Sequence, residues 1–484
     1  MKGLSFVVRL LPLLLLLAIL AGCGGRVPTG TIRQSLATDN LDSLRSDLEE
    51  TQKSYGDFVS SLNLARILQL QGRWQASIAM YNTALATLEE YEGRATISIR
   101  SIATSTGTIL LSRGSEEYYG TGYERSLLHT FNALNYMMLG DFNSAAVEMR
   151  KMEKRQDYWL EESQARVEAM VRERNQTLDS PDDLPMQYSM RDILRDPSIR
   201  SRLNSYQDAF SYALSAVVLR IAGDMEGAAV NLRRALLLDD AVTAAFSHPW
   251  SGAYTKSKET IAVPPIMQNV SLPPAASRSV HGRSSLPAEQ QELVIIAFSG
   301  LAPALGVENM RIFFPLIGYI FVDLPSYKQA VNTAEPIVSA GSSAIPLYPL
   351  LRTDVLAYRT LWDELRFEIG TAISRALVRA GIAGTTYAVA ASHRDSRYYA
   401  PLIGALTTAL LDIFASTMAD SVRNWETLPN TGYLAVTTVP RGATITMDGA
   451  GRGQSVDLPP DARGVIILIT ELSNNNLKVN HVAY

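Results

Sequence analysis

Gly140-Asp141-Phe142-Asn143-Ser144-Ala145-Ala146 is the phrase that organises this chain, because it occurs in three versions. The others are Gly72-Arg73-Trp74-Gln75-Ala76-Ser77-Ile78 and Gly223-Asp224-Met225-Glu226-Gly227-Ala228-Ala229. Each has a glycine, an aromatic residue or Met two positions later, and Ala or Ser five positions after the glycine. Leu64, Ala65 and Leu68 precede the first version, and Tyr81, Ala84 and Leu85 follow it. Ala133 and Tyr136 stand before the second with Met149 and Met152 after it, and Ala216 and Leu219 before the third with Leu232, Ala235 and Leu236 after it. Spacings of three and four place these residues on one helical face, and glycine supplies the reversal. Each phrase therefore reads as the turn of a helical hairpin.

The three hairpins resemble tetratricopeptide repeats, in which small residues let two helices pack closely and a glycine reverses the chain. The resemblance implies a stacked helical array over 41–245 with an extended concave surface able to hold another protein. Gly72 and Gly140 stand 68 residues apart, twice the repeat period of about 34 residues, but Gly223 lies 83 further on, so the expected array is degenerate. Small residues opposite large ones also mark any antiparallel helix pair; their threefold recurrence favours the repeat. Between the second and third units, Lys151 to Gln176 is dense in mixed charge and reads as a long solvated helix projecting past the stack. Pro181, Pro185 and Pro197 then interrupt regular structure.

Toward the start, Lys2 and Arg9 precede an apolar run from Leu10 to Leu20 that ends in Leu20-Ala21-Gly22-Cys23. A charged start, a short apolar core and small residues before the break describe a signal peptide over 1–22; a membrane span needs about 20 apolar residues. The last four residues resemble the lipobox of bacterial lipoproteins, and Cys23 is the only cysteine. The resemblance implies lipidation at Cys23, cleavage before it, a lipidated tether over 23–40 and attachment to a membrane through acyl chains. Each buried methylene contributes about 0.8 kcal/mol, so two or three chains hold indefinitely where one binds reversibly. Gly24 in place of Asp favours the outer membrane, with most of the chain in the periplasm. The mature chain has no cysteine pair for a disulfide or thiolate metal site, so 47% hydrophobic residues must supply its stability. A formal charge of -4 leaves no basic excess for phosphates, which argues against nucleic acid as a partner.

Downstream, prolines at 249, 264, 265, 273, 274 and 287 mark a linker over 246–290. Order resumes with Glu292-Leu293-Val294-Ile295-Ile296-Ala297-Phe298, a strand, with further strands expected at Met310–Phe314 and Ile317–Val322. Helical periodicity runs from Asp354 to Arg379, and a second helix is expected at Leu402–Ala419. Strands followed by helices give an α+β domain over 291–427. In the last stretch, Tyr433–Val436, Val439-Pro440-Arg441-Gly442-Ala443, Thr444–Met447 and the hairpin pair Asp448-Gly449 resemble the PEGA module, and the match runs on through Gly453, Leu458 and Pro459. The resemblance implies a small β module over 428–484 that presents or binds. The fold class expected is thus α+β multidomain: a helical array, a central α+β domain and a C-terminal β domain.

Candidate binding residues cluster before the second hairpin, in Tyr118-Tyr119-Gly120-Thr121-Gly122-Tyr123-Glu124-Arg125 and His129. Two glycines beside three tyrosines suggest a tight loop, read either as a cap on the helical stack or as a peptide- or glycan-binding loop. Glu124 and Arg125 could ion-pair, or one could orient His129, four residues from Arg125. No catalytic motif is found, and no cofactor or metal is expected. The five histidines, 129, 248, 281, 393 and 481, are scattered without metal-ligand spacing, and there is no Gly-Lys-Ser/Thr phosphate loop or Gly-Xaa-Ser-Xaa-Gly turn. Asp363, Glu364 and Glu368 lie among Arg359, Arg366 and Arg375 and read as an ion-paired face. Two catalytic carboxylates far apart in sequence would leave no motif.

Together the lipobox, the tyrosine loop, the proline linker, Gly300-Leu301-Ala302-Pro303 and Asp420-Ser421-Val422-Arg423-Asn424-Trp425 before Leu428-Pro429 resemble a poorly characterised family of bacterial outer-membrane lipoproteins containing such repeats. In some relatives the gene lies near one for a lipoprotein activator of cell-wall synthases, which implies an envelope role but not a contact; the partner expected is a periplasmic or outer-membrane protein, the cell-wall synthesis machinery being one candidate. The function expected is a protein-interaction scaffold in envelope assembly or maintenance. The alternatives are a peptidoglycan-associated binder or hydrolase, or a component of a secretion or surface-appendage apparatus.

Overall fold

The glycines of the three phrases adopt positive φ: Gly72 at 70°, Gly140 at 75° and Gly223 at 91°. Around each, the glycine N–H donates three residues back and the following N–H five residues back. The longer bonds run from Arg73 to Leu68 (2.9 Å), Asp141 to Tyr136 (2.9 Å) and Asp224 to Leu219 (2.8 Å). This is the Schellman closure, which satisfies carbonyls that a helix end leaves open. The aspartates then start the next helix, Asp141 accepting from the Ser144 N–H (3.0 Å) and Asp224 from the Gly227 N–H (2.9 Å). Five residues past each glycine, Ser77, Ala145 and Ala228 are fully buried. A small side chain there lets the paired helix approach.

The structure, a computed structural model, describes residues 27–55, 57–98, 118–173, 180–202, 204–246, 286–314, 318–365, 424–449, 452–473 and 477–484. Its first helices are α1 (Thr29–Ala37), α2 (Leu41–Tyr55), α3 (Phe58–Leu70), α4 (Trp74–Ser98), α5 (Gly122–Met138) and α6 (Phe142–Glu173). A 3-10 turn at Pro181–Asp183 and the short α7 (Arg191–Leu194) and α8 (Pro197–Arg200) lead to α9 (Ala209–Ile221), α10 (Met225–Leu238) and α11 (Ala241–Ala245). A last helix, α12, occupies 353–365. Packing follows chain order: α3 on α4, α4 on α5, α5 on α6, α6 on α9 and α9 on α10.

Eleven strands are described: β1 (Gln290–Ser299), β2 (Ala304–Phe314), β3 (Gly318–Lys328), β4 (Ile337–Ala340), β5 (Ser343–Ile345), β6 (Tyr348–Arg352), β7 (Thr431–Pro440), β8 (Thr444–Gly449), β9 (Arg452–Asp457), β10 (Gly464–Glu471) and β11 (Leu477–Ala483). They form a five-stranded sheet in the order β11-β10-β1-β7-β6, a four-stranded sheet β5-β4-β8-β9 and a separate β2–β3 hairpin. β1 pairs in parallel with β10 and antiparallel with β7. Its apolar run is buried on both faces. Val294, Ile296 and Phe298 join the core against the helices, whereas Leu293, Ile295 and Ala297 join a second core with Val338, Ile445 and Met447 of the smaller sheet. The class is α+β.

Several expectations need correction. Both sheets mix strands from either side of residue 428, so the boundary expected there does not separate a central domain from a C-terminal module. The reason is β1, whose two neighbours both come from the last part of the chain. Asp448-Gly449 was expected to form the hairpin turn but lies within β8, Gly449 opposite Arg452; the connecting residues 450–451 lie outside the described residues. β8 and β9 pair antiparallel on either side of those residues, so the expected hairpin is formed with Asp448 and Gly449 as its last paired residues, and a further turn at Gly442 (φ 70°) carries the chain from one sheet to the other. Residues 27–40 are not a tether, because α1 is packed into the body, with Ile32 and Leu36 buried in one cluster with Leu44 and Leu48 of α2, Leu64 and Ile67 of α3, and Leu301 and Leu472. Nor does the charged stretch from Lys151 project at its start. Met152 and Gln156 are fully buried, and Arg155 binds Glu92 on α4 (2.6 Å) while Glu153 accepts from Asn231 on α10 (2.7 Å). The neighbouring helices supply the partners that water was expected to supply. Cys23 and the signal peptide, most of the 246–290 linker, the Arg379 end of the long helix and the helix at 402–419 lie outside the described residues.

Candidate functional site

Helix α3 carries Ser60, Ser61, Asn63, Arg66 and Gln69 among its apolar residues, and all thirteen of its residues are buried. A helix buried on every side must satisfy its polar groups with protein partners. For Asn63 and Gln69 those partners come from the segment leading into β7 and from α5, whereas Ser60 and Ser61 bond to Asp57 at the helix's own start. Asn63 Oδ1 accepts from the Thr427 N–H (3.2 Å) and hydroxyl (3.1 Å). Gln69 Nε2 donates to Asn135 Oδ1 (2.7 Å) and to the Phe131 carbonyl (2.7 Å), and Asn135 Nδ2 donates to the Ser77 hydroxyl (2.9 Å). Trp425 is fully buried between Tyr81 and Phe131, with ring centroids 5.9 and 5.5 Å away in edge-on geometry. The chain's own 424–428 segment thus lies on α3, α4 and α5.

The tyrosine loop is built into this junction. Glu124, at the third position of α5, has no exposure. Its Oε2 accepts from the Thr121 N–H (2.8 Å), the Thr121 hydroxyl (3.1 Å) and the Tyr118 hydroxyl, and its Oε1 accepts from the Trp425 N–H (2.7 Å). Burial pushes its carboxyl above the ordinary range, and these hydrogen bonds pull back part of the rise. Both glycines of the loop are sterically required: a Cβ at Gly120 (φ 84°) would sit 2.8 Å from the Phe58 ring, and one at Gly122 2.2 Å from the Tyr206 ring.

The candidate residues point three ways. Glu124 faces Trp425; Arg125 turns to the Tyr119 carbonyl (2.9 Å) and to Glu92 (3.4 Å), beneath the stacked Tyr91 and Tyr119 rings (3.8 Å). Burial holds the Arg125 guanidinium below its ordinary pKa, partly offset by Glu92. His129, 2% exposed, instead meets Glu148 across the helix pair, Nδ1 to Oε2 at 2.8 Å, and Lys151 approaches the same carboxylate at 2.8 Å. Burial lowers the His129 pKa and the Glu148 carboxylate partly offsets it, while Nδ1–H donates to Glu148, whose own pKa the contact holds down. Tyr123 is buried in the helix core and Tyr118 and Tyr119 pack against it. Glu124, Arg125 and His129 thus turn to three different partners, and the loop's tyrosines are packed into the junction. On α12, Arg359 pairs with Asp363 (3.1 Å).

Arg66 escaped the sequence reading. It is 1% exposed, donates to Gln69 Oε1 (2.5 Å), and lies over the Phe131 and Phe298 rings at 4.8 and 5.6 Å. Burial lowers its pKa to about 10, so it stays charged. The signal was an arginine amid the apolar residues of Leu64–Leu70. The two patches that carried the family resemblance also meet: Ala302 N–H donates to the Leu428 carbonyl (2.9 Å), and Asn424 binds the Pro303 carbonyl (3.0 Å).

Comparison with protein-family models, with curated proteins and with solved structures finds no match to this chain. Among the described residues no helix is long and apolar enough to cross a membrane, and no three His, Cys, Asp or Glu side chains come together to hold a metal ion.

Proposed function

We propose that this chain is a lipoprotein held at the outer membrane through Cys23, and that its folded body is a scaffold for a periplasmic protein partner in envelope assembly or maintenance. Three turns with one hydrogen-bond pattern support reading its helices as degenerate tetratricopeptide-like hairpins. The observation that supports a partner on the other side of the hairpins is Trp425, because the chain's own 424–428 segment is seated on α3, α4 and α5. On the second and third hairpins Leu139, Val147 and Met225 are 38%, 48% and 39% exposed. The Arg150–Asp224 pair (2.6 Å) ties the second and third hairpins side by side.

Palmitate labelling with Cys23→Ala as control tests the anchor: label and membrane fractionation should both be lost. Photo-crosslinkers at Val147 and Met225 in intact cells should capture a protein that one at Leu134, fully buried, does not. Equal capture at all three would defeat the surface assignment. Retention on purified sacculi with no protein crosslink would move the reading to peptidoglycan binding.

A further inference from the structure

The anchor proposed above leaves very little slack. Cys23 and Val27 are four residue steps apart, and a fully extended chain covers at most about 14 Å in that distance. Val27 is 7% exposed and already part of the folded body. Thr29 Oγ1 donates to Glu426 Oε1 at 2.7 Å, Arg33 donates to the Ala302 carbonyl at 2.5 Å and the Gln329 carbonyl at 3.3 Å, and Ser473 Oγ reaches the Leu36 carbonyl at 3.3 Å. The body starts at one definite place.

That place is one end of the central sheet. β1 finishes at Ser299, opposite Glu471 of β10, and Gly300 N–H donates to the Glu471 carbonyl (2.9 Å). Gly449 packs on the Glu471 side chain, and beside it Asp448 pairs with Ile337. Leu301 and Val331 exchange backbone hydrogen bonds of 2.8 and 2.9 Å. At this end Val331 is 37% exposed and Ile337 64% exposed, two of the larger apolar side chains that the described body leaves in water. The opposite end, where Arg441 binds the Pro460 and Ala462 carbonyls, lies ten residues of β1 away. At about 3.3 Å per residue that is roughly 30 Å.

Resting on the lipid-anchor reading, we propose that the sheet end bearing α1, Val331 and Ile337 is a membrane-facing surface, held against the headgroup layer by the four-residue leash. A leash of at most about 14 Å cannot let the far end, roughly twice that distance away, reach the bilayer in its place. Val331 and Ile337 meet the interface, where partly exposed apolar side chains gain from leaving water. Glu335 and Asp448, both exposed at this end, are repelled by an anionic headgroup layer, so the hydrocarbon anchor and the leash set the orientation against that repulsion.

Since the Cys23 sulfur is acylated in the mature lipoprotein, an introduced cysteine is the single free thiol. Ile337→Cys and Asp461→Cys proteins, expressed with the signal peptide and carrying a thiol-reactive dye, would be reconstituted into phosphatidylethanolamine–phosphatidylglycerol vesicles containing a headgroup-nitroxide lipid. Quenching should be several-fold stronger at 337 than at 461. A 20-residue Gly/Ser insertion between residues 26 and 27 should erase the difference without releasing the protein. Equal quenching of vesicle-bound protein at the two positions without the insertion overturns the orientation alone, whereas protein that never binds vesicles overturns both the orientation and the anchor.

Discussion

At the residue scale, Glu124 is where helices and strands are joined by one carboxylate. Glu124→Ala leaves the Trp425 and Thr121 amides and the Tyr118 hydroxyl without their acceptor, at a cost of about 3 kcal/mol, whereas Glu124→Gln retains an acceptor and should cost about 1 kcal/mol. Urea midpoints at unchanged m-value distinguish the two. Arg66 has the opposite expectation. A buried charge with no carboxylate partner is costly, so Arg66→Met should hold or raise the midpoint; a marked drop would mean that the contacts with Phe131 and Phe298 outweigh desolvation. His129 sets a pH dependence. Folding lowers its pKa from an ordinary value near 6.5, so the unfolded chain takes the proton first as pH falls. The contribution is intact above about 6.5 and is lost below it. Glu124 and Asp208, raised by burial, act in the other direction and favour the folded state as pH falls. The informative quantity is therefore a difference: wild-type stability minus that of His129→Gln should fall between pH 7 and pH 5, and a constant difference would show that His129 does not titrate there.

At the scale of elements, the three turns differ from the tyrosine loop in what their glycines meet. A Cβ at Gly140 finds nothing within 4 Å, so Gly140→Ala carries only the left-handed backbone cost of about 1 kcal/mol. Gly120→Ala adds a collision with Phe58 and should cost about 3 kcal/mol; equal melting temperatures for the two variants would refute the packing argument. These turns were legible in the sequence because glycine conformation and the small residue five positions on are local requirements. The α+β class was legible for the same reason. Sheet order was not, since Leu293–Phe298 is apolar at every position, and a strand buried on both faces carries no alternation to say which neighbour lies where. Tyr118, Glu124, Arg125 and His129 stood out by residue type. Their directions depend on Trp425, Glu92 and Glu148, which no local pattern connects to them.

At the scale of the whole molecule, helices and sheets share one core through Phe131, Phe210, Phe298 and Trp425, with Phe298 5.1 Å from Phe131 and 5.3 Å from Phe210. Trp425→Ala should cost about 4 kcal/mol and weaken both halves together. Amides of α3 and β1 should then exchange hydrogen with the same opening free energy, and a helical half that opens independently would contradict the shared core. β1 itself has a temporal consequence. It is synthesised long before β7 and β10, which flank it with Thr438 and Gly464 opposite Glu292. Until they arrive, its amides and carbonyls are bare and its side chains greasy on both surfaces, the state most prone to clumping with other chains. A chain truncated before Gly464 is accordingly expected to scatter light on refolding at concentrations where the full chain stays clear.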